Sequence, residues 1–245
     1  MYLGKHRDWL PLYEAAPLRY ADGVVMELVP GDVISDCIAF TGLYELALTR
    51  RVAVLARRGG LLVEVGANLG YFTLLWAAAH PENRVVAFEA SPRNVEILRR
   101  NVARNGLEGR VDVVAQAAGR EQGQLRFDVG PVEQTGWGGF SPDGGGAGGS
   151  IEVDVVRVDD VLADAPVALL KVDVEGADAW ALEGCGRLLK RKLVREVWYE
   201  ENRPRMAALG IPPGAARDFL RSVGYAASPQ SDPGGGTTEW SADPA

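Results

Sequence analysis

The sequence predicts an α/β protein with helices on both faces of a mostly parallel sheet. Three observations predict it. From residue 61 to residue 115, short apolar runs alternate with helical patterns in βαβαβ order. The alternation resumes at residue 168 and runs to Tyr225. Between the first strand and its helix lies Glu64-Val-Gly-Ala-Asn-Leu-Gly70, a glycine-bearing turn of the kind that follows the leading strand of a nucleotide-binding sheet.

The elements follow in chain order. Residues 1–23 hold no strong period; residues 24–29 read as a strand stopped by Pro30-Gly31, with 32–34 as a candidate hairpin partner. Residues 42–58 read as a helix: Leu48, Val52 and Leu55 share a face, Arg57 and Arg58 occupy the last turn, and Gly59-Gly60 closes it. The run 61–65 is short and apolar, as expected of a buried parallel strand. A helix over 70–80 ends at Pro81, and a second strand covers 84–88. The next helix, 92–105, has Ser91 as N-cap, Pro92 at its first position and Gly106 after its end. A third strand covers 111–115, and strands at 124–129 and 151–158 then break the order. Between them, nine of the 20 residues 130–149 are glycine, which predicts a flexible loop. Alternation returns with strand 168–172, helix 177–191, strand 196–199, helix 214–223 and a strand region from Tyr225. The tail 228–245, rich in Gly, Pro and Ser, reads as loose, with Trp240 as a candidate anchor for a last strand.

Composition narrows the function classes. Hydrophobic residues make up 47% and charged residues 24%, ordinary for a globular chain and incompatible with disorder. Glycine, 30 of 245, is in excess but has no three-residue period, which excludes collagen. A net charge of −7 lacks the footprint of a general nucleic-acid or anionic-membrane binder, so neither partner is expected. Cys37 and Cys185 form no CxxC pair and read as thiols in a reducing compartment. The first residues show no apolar signal core, and no apolar run approaches the ~20 residues that span a bilayer. A cytoplasmic protein is expected.

The turn carries the cofactor signal. Gly66 permits the sharp turn off the strand, and Gly70 lets the helix start close to the sheet, where its free N–H groups favour a negative group. Glu89 ends the next strand, where an acid can accept both hydroxyls of a ribose. A dinucleotide would need GxGxxG, yet the three positions here are Gly66, Asn68 and Tyr71. S-adenosylmethionine has no pyrophosphate, and Glu64 at the strand end suits its ammonium while it would repel a pyrophosphate. Gln116, at the end of the third strand, is placed to read the adenine edge.

Three segments together carry a resemblance. Glu64-Val-Gly-Ala-Asn-Leu-Gly-Tyr-Phe-Thr73, Phe88-Glu-Ala-Ser-Pro92 and Lys171-Val-Asp-Val-Glu-Gly-Ala177 resemble the FkbM family of S-adenosylmethionine-dependent methyltransferases over residues 42–226. The resemblance implies a class I methyltransferase fold, a Rossmann-like seven-stranded sheet whose last strand is antiparallel. It also implies O-methylation of a hydroxyl on a sugar, polyketide or other secondary metabolite. Carried over by motif, Glu64, Gly66, Asn68, Gly70, Tyr71 and Phe72 line the methionine end, Glu89 with Ala90 and Ser91 holds the ribose, and Gln116 with Ala117 flanks the adenine. The family often carries an acid where Glu45 stands, facing the cofactor. The domain then spans 42–245, with 1–41 as an N-terminal extension for which a lid is one open role. Glu64 in place of the commoner Asp, Ala90-Ser91 after the ribose acid and Asp178 in place of Glu are mild departures. The family explains neither the glycine-rich insert nor the tail.

Ligands of open α/β sheets sit outside the carboxyl ends of the strands. That selects Lys171, Asp173 and Glu175 after one strand and Glu200, Glu201 and Asn202 after the next. Methyl transfer from a sulfonium is an in-line displacement, and the protein must align the hydroxyl and take its proton. Only His6 and His80 exist, and His80 sits at a helix end before Pro81. A carboxylate is therefore the expected base: Asp173, Glu175 or Glu201, with Lys171 beside Asp173, a residue that also lies against the cofactor. Mg²⁺ held by Asp173, Glu201 and Asn202 is a second route, not the expected one. Trp137, on the glycine-rich loop, is a candidate to close over the adenine or over substrate, the latter beside Glu200 and Asn202. A nicotinamide-dependent oxidoreductase and a non-catalytic cofactor-binding module remain the alternatives, and a homodimer is left open.

Overall fold

The computed structural model describes residues 9–131, 133–141, 149–234 and 237–245. His6 and the centre of the glycine-rich loop lie outside the described residues, and with them the flexibility expected of 142–148.

The described chain opens with α1 (Leu10–Glu14), the paired strands β1 (Ala16–Pro17) and β2 (Val25–Met26), α2 (Val33–Thr41) and α3 (Leu46–Ala56). Two expectations are corrected here. Residues 32–34 are no hairpin partner, because Asp32 caps α2 and its Oδ2 accepts the Ser35 N–H at 2.8 Å. The helix expected over 42–58 starts only at Leu46, because α2 ends at left-handed Gly42 and the chain turns through Leu43, Tyr44 and Glu45.

The alternating core follows the sequence closely: β3 (Leu61–Val65), α4 (Tyr71–Ala79), β4 (Arg84–Phe88), α5 (Pro92–Arg104) and β5 (Val111–Val114). Then β6 (Ala117–Ala118), β7 (Gly123–Asp128), β8 (Gly139–Phe140) and β9 (Ser150–Val156) form a separate sheet in the order β6-β9-β7-β8. After α6 (Val158–Val161) and β10 (Val167–Val172), the helix expected over 177–191 is two helices, α7 (Asp178–Glu183) and α8 (Gly186–Lys190). The break falls at Gly184-Cys185, where glycine is a poor helix former. The strand expected over 196–199 is longer, and β11 (Val197–Asn202) runs directly into α9 (Arg203–Ala208). The Asn202 side chain caps α9, accepting the Arg205 N–H at 3.3 Å. The chain closes with α10 (Ala215–Ser222), β12 (Tyr225–Gly234) and β13 (Thr237–Pro244).

The tail is therefore not loose. It is a hairpin, and β13 inserts antiparallel between β11 and β12. Trp240 registers opposite Tyr199 and their rings stack with centroids 6.2 Å apart, which anchors the strand. The main sheet has the order β12-β13-β11-β10-β3-β4-β5, with β11, β10, β3, β4 and β5 mutually parallel. This is the mostly parallel seven-stranded class I methyltransferase architecture that the sequence predicts.

Two apolar cores cover the two faces. One joins Leu62, Trp76 and Leu98 to Tyr13, Leu18, Met26 and Ile38, so residues of the N-terminal extension share the core of the sheet. The other joins Val63, Leu170 and Tyr199 to Leu182, Leu188 and Leu220. Strand order reverses between β3 and β10, and a crevice opens beyond their carboxyl ends. Among the described residues, no helix is long and apolar enough to cross a membrane.

Candidate cofactor and acceptor site

A pocket occupies that crevice. Its floor is the carboxyl ends of β3, β4 and β10, one wall is Ile34, Ile38, Tyr44 and Glu45, and Thr135, Gly136 and Phe140 roof it.

The turn after β3 is fixed by backbone geometry. Gly66 has φ 84°, and a Cβ there would collide with the carbonyl oxygen of Asp173, so this loop and the loop after β10 touch at their backbones. The Gly66 and Ala67 N–H groups both donate to the Phe88 carbonyl, at 2.9 and 3.0 Å. Gly70 has φ 96° and starts α4, and a Cβ there would lie 2.5 Å from Leu98 Cδ1. Asn68 is left-handed, φ 50°, and its N–H donates to Glu89 Oε2 at 2.8 Å.

Glu89 is the polar centre at this end. Its Oε1 accepts the Ser91 N–H at 2.8 Å, so both oxygens are held by backbone donors while free lone pairs remain for a ligand. Burial nevertheless raises its pKa, against the effect of those donors. Ala90, Gln116 and Ala117 line the pocket beside it, whereas Ser91 serves through its N–H. Tyr71 and Phe72 line the start of α4, and Tyr71 Oη lies 3.1 Å from Thr49 Oγ1.

Carboxylates crowd the other end. Glu64 is 1% exposed and accepts the Thr73 hydroxyl at 2.5 Å; burial lifts its pKa to about 7 despite the opposing charge of Lys171. Lys171 Nζ lies 3.1 Å from Asp173 Oδ2 and 5.2 Å from the Phe72 ring centroid. Burial works to lower the Lys171 pKa, but Asp173, Glu64 and Glu45 together hold it above its ordinary value. Glu175, left-handed at φ 53°, accepts the Asn202 amide at 3.0 Å and lies 3.8 Å from Arg205 Nε. Burial and Asp173 lift Glu175 to about 7. For the same reasons Glu45 rises to about 8 and Glu200 to about 10. Asp173, Glu64 and Glu45 act on Lys171, and Glu175 and Glu200 line the same pocket, an acid-rich end that opposes a pyrophosphate.

Three expected residues do not reach the pocket as expected. Glu201 faces the other side of β11: it is 3% exposed and its Oε1 accepts the Gly214 N–H at 3.0 Å. Strand periodicity is the reason, since Glu200 pointing in turns Glu201 out. Asn202 orients Glu175 instead of lining the cavity. Trp137 is 57% exposed and outside the lining, although its carbonyl accepts Arg205 at 2.9 Å. With Glu201 turned away, the three oxygen ligands of the Mg²⁺ route are not assembled. Among the described residues, no group of three or more His, Cys, Asp or Glu is arranged to hold a metal ion.

Several functional neighbours are illegible in the sequence. Thr73 reaches Glu64 from α4, Asn94 and Thr135 enter from α5 and the roof, and Asp178 Oδ1 accepts the Glu200 N–H at 3.1 Å. Asp32 alone carried a local signal, an N-cap acid three residues before Ser35.

Comparison with known proteins bears on the family and the fold. The family model described as the methyltransferase FkbM domain matches residues 64–226. The chain is 34% identical over 165 residues to 31-O-demethyl-FK506 methyltransferase FkbM of Streptomyces tacrolimicus, covering 55% of this chain and 62% of that protein. It is 29% identical over 182 residues to methyltransferase sdnD of Sordaria araneosa, covering 60% and 70% of the two chains. The chain thus spans about three-fifths of the length of the first of these relatives. The crystal structure of methyltransferase FkbM from Methylobacillus flagellatus KT superposes with a TM-score of 0.54 at 19% identity, covering 75% of this chain and 43% of that one, a likeness of fold. By the match of its sequence to the family model, this chain belongs to the FkbM methyltransferase family.

Proposed function

We propose that the protein is an S-adenosylmethionine-dependent O-methyltransferase acting on a hydroxyl of a small molecule. The observation that carries this reading is the polarity of the pocket: one end offers a backbone-held carboxylate at Glu89, and the other gathers Asp173, Glu64 and Glu45 about Lys171. S-adenosylmethionine carries its ribose diol on the nucleoside side and an ammonium, a carboxylate and a sulfonium on the methionine side, which matches an acidic group at one end of the pocket and acids about a lysine at the other. When bound, it supplies an electrophilic methyl group.

Glu89 holds the ribose, Gln116 and Ala117 flank the adenine, and Glu64 receives the ammonium through the oxygen not committed to Thr73. The remaining tasks fall to the loop after β10. Asp173, held by Lys171, orients the acceptor hydroxyl and takes its proton, and Glu175 is the second acid within the same loop. The acidic lining also argues against a nicotinamide dinucleotide.

The test is calorimetric titration with S-adenosylhomocysteine and NADH, beside radiolabelled methyl transfer to a panel of hydroxylated sugars and polyketides. Micromolar binding of S-adenosylhomocysteine with no binding of NADH is expected. Binding of NADH alone would overturn the reading.

A further inference from the structure

We infer that Thr135, carried on the inserted sheet, is a ligand of the cofactor's nucleoside end, and that Asp32 and Asn94 are the residues that position it. The inference rests on the cofactor assignment made above, and it gives a role to the insert that the family motifs leave unexplained.

Thr135 is 2% exposed, begins a short 3-10 turn over Thr135–Trp137, and lines the pocket on the side of Glu89. Both of its backbone groups are clamped by residues distant in sequence. Its N–H donates to Asp32 Oδ1 at 2.8 Å, and its carbonyl accepts Asn94 Nδ2 at 2.9 Å. Asp32 is 1% exposed, and its other oxygen caps α2, so the roof is tied to the N-terminal segment on one side and to α5 on the other. Only the side chain of Thr135 is uncommitted: its Oγ1 is buried without a partner. The same holds for Asn94 Oδ1 and Asn68 Oδ1, which border the same pocket.

Three buried, unpartnered oxygens around a carboxylate are costly unless a ligand satisfies them. Asn94 Oδ1, Asn68 Oδ1 and Glu89 accept, and the Thr135 hydroxyl both accepts and donates, so the cluster suits a ligand rich in O–H and N–H donors. The two ribose hydroxyls and the adenine amino group supply such donors. The clamp matters because a hydroxyl fixed by both backbone groups of its residue needs no reordering on binding.

The experiment is calorimetry of S-adenosylhomocysteine and of adenosine against wild type, Thr135→Val and Thr135→Ser, with thermal melts of each. Thr135→Val should weaken both ligands by the same ~3–10-fold, as expected for one lost hydrogen bond. Its apo melting temperature should be no lower than that of wild type, because the hydroxyl has no protein partner to lose and its burial is relieved. Thr135→Ser should restore both affinities. Wild type binding S-adenosylhomocysteine with Thr135→Val equally tight would overturn the inference and leave the cofactor assignment standing. Loss confined to S-adenosylhomocysteine would also overturn it, by moving Thr135 to the methionine end. Failure of wild type to bind S-adenosylhomocysteine would instead bring down the cofactor assignment itself.

Discussion

The loops after β3 and after β10 are built alike and lined differently. Each leaves a parallel strand, each contains a left-handed residue other than glycine (Asn68 at φ 50° and Glu175 at φ 53°), and each is pinned by glycine. Around the first, the donors are backbone N–H groups that hold Glu89 at both oxygens. Around the second, the partners are side chains: Lys171 for Asp173, and Asn202 with Arg205 for Glu175. A carboxylate fixed by backbone is suited to bind a ligand of constant shape. Glu175, fixed by side chains and lifted toward neutrality by burial, is suited to exchange a proton.

The largest effect should come from breaking the contact between the two loops. Gly66→Ala would drive its methyl into the Asp173 carbonyl at a left-handed position, and it should cost at least ~2 kcal/mol of stability, read as a lower denaturant midpoint together with lost ligand binding. Next, Asp173→Asn should lower kcat by ~10²–10⁴-fold while S-adenosylhomocysteine affinity changes much less. A parallel collapse of both would erase the division of labour between the loops. On the other side, Glu89→Ala should weaken S-adenosylhomocysteine by ~10–100-fold, measured by calorimetry.

A smaller effect concerns pH. Glu64 and Glu175 have folded pKa values raised from 4.5 to about 7, so the folded state binds more protons than the unfolded chain between those values. Their contribution to stability is therefore complete below pH 4.5 and is lost as pH rises through about 7. The melting temperature of wild type minus that of Glu175→Gln, both without ligand, should fall across that window; a difference flat with pH would remove Glu175 from the buried acid set. The smallest effect should follow Trp137→Ala: the residue is exposed outside the pocket, so cofactor affinity should stay within about twofold of wild type.

Much of this was legible in the chain. The strands β3, β4 and β10 and the helix α5 were readable because a short apolar run, a proline at a helix start and a glycine after its end are local signals. The cofactor turn was equally readable, since its glycines act through nearby backbone. The acids at the end of β11 were readable as a group but not by orientation. Glu200 and Glu201 are the same residue type in adjacent positions, and the sheet register alone turns one into the pocket and the other toward Gly214.

The sequence by itself determined the alternating core, the family and the carboxylate-rich motifs, because each rests on residues within a few positions of one another. Only the tertiary structure decided that the tail is a sheet hairpin, since Trp240 gains its partner from Tyr199, forty-one residues earlier. It also decided that Asp32, Asn94 and Thr135 meet over the pocket. No local pattern encodes such meetings: hydrogen bonds spanning 41 and 103 residues exist only once the core has brought the N-terminal segment, α5 and the inserted sheet to one crevice.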